Sequence, residues 1–117
     1  MDPVTRHQLL FNEGVQTGDF DPWLDTFTDD TVVTFAGLPI GPVHGRDALA
    51  KAYSEHPPSS PMRVLAASVK GDTVTGHFVW VDVPGTGGTF VLTLRDDRVA
   101  AMQVTLNAPP PPPANAG

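Results

Sequence analysis

A chain of 117 residues that is 40% hydrophobic fits one globular domain, large enough to bury about two thirds of the surface its unfolded form exposes without a metal or disulfide staple. Its formal charge of -6, from 7 scattered Lys and Arg against 13 Asp and Glu, argues against nucleic acid and anionic membrane as partners and leaves a neutral, apolar small molecule as the expected one. It contains no cysteine, which excludes disulfides and thiolate zinc sites, and it has neither a membrane-length apolar run nor a signal-like start, so a soluble cytoplasmic protein is expected.

The first helix is predicted to begin at Asp2-Pro3, a capping residue followed by a proline whose missing N–H costs nothing there. Val4, His7 or Gln8, Phe11 and Val15 then recur at helical spacing toward Gly18, with Phe11 inward. Gly14 inside this helix costs about 1 kcal/mol relative to Ala, which points to close packing of another element. Asp21-Pro22 repeats the cap, opening a short helix with Trp23 and Phe27 on one face and its end at Thr28-Asp29-Asp30. Thr31–Ala36 is β-branched and aromatic and reads as a strand.

Gly37 to Pro42 is too broken for regular structure and too apolar for a solvated loop, so it is expected to form a rim. A third helix follows over Arg46–His56, with an apolar stripe of Ala48, Leu49, Ala52 and Tyr53 and a stop at Pro57-Pro58. Arg46 and Asp47 at its start are expected to tie the loop to the helix. From Met62 the pattern turns to β: strands at Met62–Lys70, Thr73–Val83, Thr89–Arg95 and Arg98–Leu106 are joined by three hairpin connections. Helices followed by a run of strands predict an α+β fold in which three N-terminal helices cover one face of a curved antiparallel sheet and leave a conical cavity. The domain is expected over residues 1–107, with a disordered Pro-rich tail over 108–117.

The order helix, turn, strand, with Gly18-Asp19, Asp29-Asp30 and Gly45-Arg46 at their spacing, resembles the cone-shaped superfamily of nuclear transport factor 2, ketosteroid isomerase and the small SnoaL-like polyketide cyclases. The resemblance covers residues 3 to 107 and identifies a fold better than a reaction. It implies an isomerase set of a Tyr on the first helix, a basic Asp on the first strand and an oxyanion-binding Asp on a later one. The matching positions here are Phe11, Phe35 and the Phe90-Val91 pair. Phe neither takes a proton from carbon nor donates to an oxyanion, so steroid isomerisation by the familiar route is not expected.

Phe11, Trp23, Phe35, Trp80 and Phe90, with Met102 and Val104 on the last strand, are the candidate ligand-binding residues of an apolar pocket. The same aromatic side chains could instead fill the cone as core. The candidate catalytic residues are His77, Asp82 and His44. His77 lies within a long apolar strand and suits proton transfer near neutral pH, but its period-two face carries Thr73, Thr75, Val79 and Val81, opposite the face of Val74, Phe78, Trp80 and Asp82. No histidine spacing supports a metal site, and Gly85-Thr86-Gly87-Gly88 joins two strands rather than opening a helix, so neither metal nor cofactor is expected.

Two functional readings follow. One is a cofactor-independent proton-transfer enzyme of isomerase, lyase or epoxide hydrolase type, acting on an apolar cyclic substrate. The other is a non-catalytic ligand-binding or dimerisation module. In both, strands apolar or Thr-rich on both faces with helices on one predict a homodimer through the exposed sheet face.

Overall fold

Asp2 starts the first helix in the computed structural model, which describes residues 2–36 and 41–107. Its carboxylate accepts from the Thr5 backbone N–H at 2.9 Å, and α1 (Pro3–Thr17) runs to Gly18, whose φ of 81° lets its N–H close on the Gly14 carbonyl at 2.8 Å. Gly14 is buried against Phe20, and a Cβ there would overlap the Phe20 ring. The glycine is therefore required by contact, as its place inside a helix suggests.

The second helix is shorter than its sequence implies. α2 (Asp21–Leu24) is one turn, and Asp21 is its first helical residue rather than its cap. Its N–H is held by the Asp19 carboxylate at 3.0 Å. β1 (Phe27–Ala36) starts at Phe27 rather than Thr31, because Phe27 is fully buried and pairs with Val99. A register shift between Phe27 and Val32 leaves Asp29 and Asp30 exposed on the strand. Arg46 forms an ion pair with Asp29 and donates to the Phe27 carbonyl, and Arg95 donates to Asp30 at 2.6 Å. Arg46 thus binds the first strand, not its neighbour Asp47.

A two-residue strand, β2 (Val43–His44), follows the predicted rim, and α3 (Arg46–Glu55) ends just before Pro57. The four later strands are β3 (Met62–Lys70), β4 (Thr73–Trp80), β5 (Gly87–Arg95) and β6 (Arg98–Asn107). They form one six-stranded sheet in the order β2-β1-β6-β5-β4-β3. Every pairing is antiparallel except β1 with β6, which is parallel with Phe35 beside Val104. The long excursion through α3 and four strands is the connection that a parallel pair needs. β4 stops at Trp80 rather than Val83, and Val81 and Val83 are exposed in the turn.

The helices lie on the concave face of this sheet, where Trp23, Phe27, Val33, Leu49, Val74, Phe90 and Leu92 are buried. Gly87 and Gly88 sit where β5 passes between its neighbours, and side chains there would overlap the backbones of Phe78 and Thr105. Their absence permits the tight curvature. At the sheet's edge, α1 substitutes for a missing strand: the Asn12 amide donates to the Met62 carbonyl at 2.8 Å and accepts from the Met62 N–H at 2.8 Å, while the Gln8 carbonyl accepts from Val64 at 2.6 Å. Among the described residues no helix is long and apolar enough to cross a membrane. The expected tail over 108–117 lies outside the described residues.

Replacing Gly14 by Ala is expected to destabilise the protein, because overpacking against Phe20 costs about 1–3 kcal/mol while helix propensity returns only about 1 kcal/mol. Urea unfolding of the two proteins checks this, and a more stable Gly14→Ala variant would refute the contact as a tight one.

Candidate functional site

The concave face is not filled. A cavity of about 660 Å³ lies between helices and sheet, and each wall can be traced to an element. The first helix supplies His7 and Phe11, α2 supplies Trp23, and α3 supplies Ala52 and Tyr53. β1 and β2 contribute Phe35 and Val43, β4 Phe78 and Trp80, β5 Phe90, and β6 Met102, Val104 and Leu106. Met62 and the segment after α3, with His56 and Pro58, complete the wall.

These side chains face inward for local reasons. His7 and Phe11 are four apart on one face of α1, and Phe78 and Trp80, or Met102, Val104 and Leu106, alternate on single strands. Phe90 lies across Gly76 on the neighbouring strand, its cross-strand partner, and a Cβ at Gly76 would occupy the space of the ring. The aromatic rings then interlock. Trp23 stacks on Tyr53 with centroids 4.8 Å apart, Phe78 meets Trp80 edge-on at 5.0 Å, and Phe11 lies 5.8 Å from Trp23 and 6.0 Å from Trp80. All the residues expected to bind ligand, Phe11, Trp23, Phe35, Trp80, Phe90, Met102 and Val104, stand in this wall.

The expected catalytic residues do not. His77 is exposed on the opposite face of β4, where its Nδ1 lies 3.1 Å from the Thr89 hydroxyl on the next strand. No irregularity in β4 reverses its side: the register shift in this hairpin falls between Val64 and Ala66 on β3, and Phe78 and Trp80, not His77, take the concave positions. Asp82 lies beyond the end of β4 in the exposed turn, its N–H held by the Ser60 hydroxyl at 3.0 Å. His44 is exposed on β2, while its neighbour Val43 reaches the cavity. None of the three borders the cavity.

Three other proton-bearing groups line the cavity. His7 is 4% exposed and accepts at Nδ1 from the Trp23 indole N–H at 3.3 Å, with the Phe90 ring centroid 4.8 Å from its own. Burial, reinforced by the charge of Arg6, pushes its pKa down to about 4, so the ring is neutral near pH 7. Burial likewise pushes the Tyr53 phenol above its ordinary value, keeping it protonated. His56, following the last turn of α3, is exposed at the cavity's edge. A signal for His7 was present in the sequence: it precedes Phe11 by one helical turn, so a cavity facing one faces both. Tyr53 shares its stripe with Leu49 and Ala52. No cluster of His, Cys, Asp or Glu among the described residues could hold a metal ion.

A family model described as a SnoaL-like domain matches residues 9–102. The chain belongs to this SnoaL-like family, within the nuclear transport factor 2-like superfamily. No curated protein matches its sequence significantly. Solved structures share the fold at low identity. A SnoaL-like protein of unknown function from Burkholderia thailandensis is 16% identical with a TM-score of 0.72, covering 91% of this chain and 95% of that one. A candidate SnoaL-like polyketide cyclase from Jannaschia sp. CCS1 is 22% identical with a TM-score of 0.71, covering 90% and 85%. A computationally designed 17-OHP binder is 13% identical with a TM-score of 0.70, covering 92% of each chain.

The buried imidazole makes stability depend on pH in a definite direction. Between an ordinary pKa of 6.5 and about 4, the unfolded chain binds a proton that the folded one refuses, so His7's contribution is intact above pH 6.5 and is lost as pH falls toward 4. The difference amounts to about 3 kcal/mol. A His7→Gln variant, which keeps an acceptor for the Trp23 indole, is expected to lose that much less stability over this interval in urea unfolding. Parallel pH profiles for the two proteins would refute the assignment.

Proposed function

We propose that this SnoaL-like protein binds an apolar, ring-bearing small molecule in the cavity and carries out proton transfer on it without a cofactor. The observation that carries the reading is a cavity of about 660 Å³ whose walls are aromatic and aliphatic except for His7, Tyr53 and His56. That volume falls within the roughly 300–1,000 Å³ typical of small-molecule sites, and few polar groups among apolar walls is their usual composition. The half-buried rings of Phe35, Tyr53 and Trp80 on the cavity wall favour a planar or fused-ring ligand.

In this reading His56 exchanges protons between ligand and solvent, since it borders both and histidine is the residue type suited to proton transfer near neutral pH. Tyr53 and His7 supply neutral hydrogen-bond donors toward charge that develops on the ligand. The alternative, a ligand-binding module without catalysis, is favoured by one specific observation. By the resemblance, the isomerase's three polar residues correspond to Phe11, Phe35 and the Phe90-Val91 pair, all apolar here, which supports a reading without the familiar machinery. The shared fold of a computationally designed 17-OHP binder supports this alternative.

Deuterium exchange separates the two readings. With 2-tetralone as probe in D₂O, the protein is expected to accelerate loss of the α-proton signals, His56→Gln to reduce that rate at least about tenfold, and the cavity-filling Val104→Trp to abolish binding measured by fluorescence quenching. Binding without accelerated exchange selects the receptor reading, and absence of binding refutes both. Steroid isomerisation, followed by absorbance of the conjugated product, is expected to be undetectable.

We further propose a homodimer through the convex sheet face. Thr75, His77, Thr89, Val91, Thr93 and Gln103 form a surface there without charged side chains, covered by no element of the described residues. Sedimentation at micromolar concentration is expected to show a dimer, and Val91→Glu a monomer with an unchanged fold. A wild-type monomer under these conditions would refute it.

A further inference from the structure

We propose that His7 selects its ligand by donating a hydrogen bond from Nε2–H to a carbonyl oxygen, with Trp23 as the positioning residue that fixes this tautomer. The inference rests on the pocket reading above and adds the polar feature that the ligand must carry.

The argument starts from the indole. A tryptophan N–H donates and cannot accept, so the 3.3 Å contact from Trp23 Nε1 requires a lone pair on His7 Nδ1. A neutral imidazole has one donor and one acceptor, and a charged one has two donors. With Nδ1 accepting, the proton of the neutral ring resides on Nε2. Trp23 is fully buried, stacked on Tyr53 and edge-on to Phe27 at 4.6 Å, so its N–H is held in direction by packing from two elements.

Nε2 has no hydrogen-bond partner among the described residues. It is not sealed, however: among those residues the side-chain polar atom cut off from solvent without a partner is Thr31 Oγ1. Nε2 therefore retains a route outward. The cleft on the other side of His7, between Arg6, Thr26 and Leu92, has no room for a water molecule, whereas the large cavity does. His7 borders both spaces, and the donor is assigned to the one with room for a ligand.

The surrounding chemistry narrows what meets it. Next to His7 the wall consists of Phe11, Trp23 and Phe90, and among the described residues no carboxylate or carboxamide side chain borders the cavity. A ligand hydroxyl at this position would gain an acceptor's place but leave its own proton without a partner. A carbonyl oxygen needs a donor alone. The ring offers a cationic ligand only an N–H, its Nδ1 lone pair being taken by Trp23, and the charge of nearby Arg6 opposes such a ligand as well.

Two measurements on the full chain test the proposal. Long-range ¹H–¹⁵N correlation spectra at pH 7 are expected to show His7 protonated at Nε2, with the tautomers becoming mixed in Trp23→Phe; a proton on Nδ1 in the wild type would overturn it. The second compares 2-acetylnaphthalene with 2-isopropenylnaphthalene, which has the same shape with a methylene in place of the oxygen. The ketone is expected to bind about tenfold more tightly to the wild type, and His7→Phe to remove the preference while still binding both. Equal affinity for the two probes in the wild type, or a preference that survives in His7→Phe, overturns the role of His7 and leaves the pocket reading standing. Binding of neither probe overturns the pocket reading and this inference together.

Discussion

The packing of the Trp23 indole is the constraint on which the cavity depends. Its ring touches residues from both other helices and from the first strand: Phe11 at 5.8 Å, Tyr53 at 4.8 Å and Phe27 at 4.6 Å between centroids, with His7 on its N–H. The helix that carries it is a single turn, far too short to be stable alone. The ring therefore holds α2 in place rather than the reverse. Loss of a buried Trp side chain costs about 3–5 kcal/mol, and here it would also remove the back wall of the cavity.

A space of this size inside a 117-residue protein is a stability liability, since apolar groups facing it forgo the contacts of a packed core. The protein compensates at the cavity's margins. Leu92, Val74 and Val33 are fully buried on the sheet, Leu49 seals α3 onto β1, and ion pairs from Arg46 and Arg95 fasten the exposed Asp29 and Asp30 of β1. Gly76 and Gly14 contribute in a different way, by having no side chain where Phe90 and Phe20 lie. Phe90 thus lines the cavity with backbone directly behind its ring, and Phe20 packs in the same way on α1.

Much of this architecture was legible in the chain. The Asp-Pro starts, Gly18 after α1, the proline stop after α3 and the alternation of four strands each encode local structure that tertiary contacts reinforce. The pocket's apolar wall was legible too, because Met102 and Val104 alternate on one strand and Phe11 faces inward on its helix. What escaped was set by distant partners. The early start of β1 depends on pairing with Val99, some seventy residues later in the chain. The parallel pairing of β1 with β6 leaves no mark on either strand. His77 stood out because it interrupts an apolar strand, yet its face was the convex one, as its Thr neighbours indicated. His7 drew no notice among helical residues, because its significance comes from an indole sixteen residues on.

The amide clamp from Gln8 and Asn12 gives β3 two characters along its length. Met62 and Val64 are hydrogen-bonded on both sides, to β4 and to helix side chains, whereas Ala66 to Lys70 have a partner strand on one side and are exposed. The bulge at Leu65 marks the boundary. Thermal opening of this edge is thereby expected to start at the Lys70 end and to halt at Val64, so that the cavity wall at Met62 opens only when α1 itself lets go.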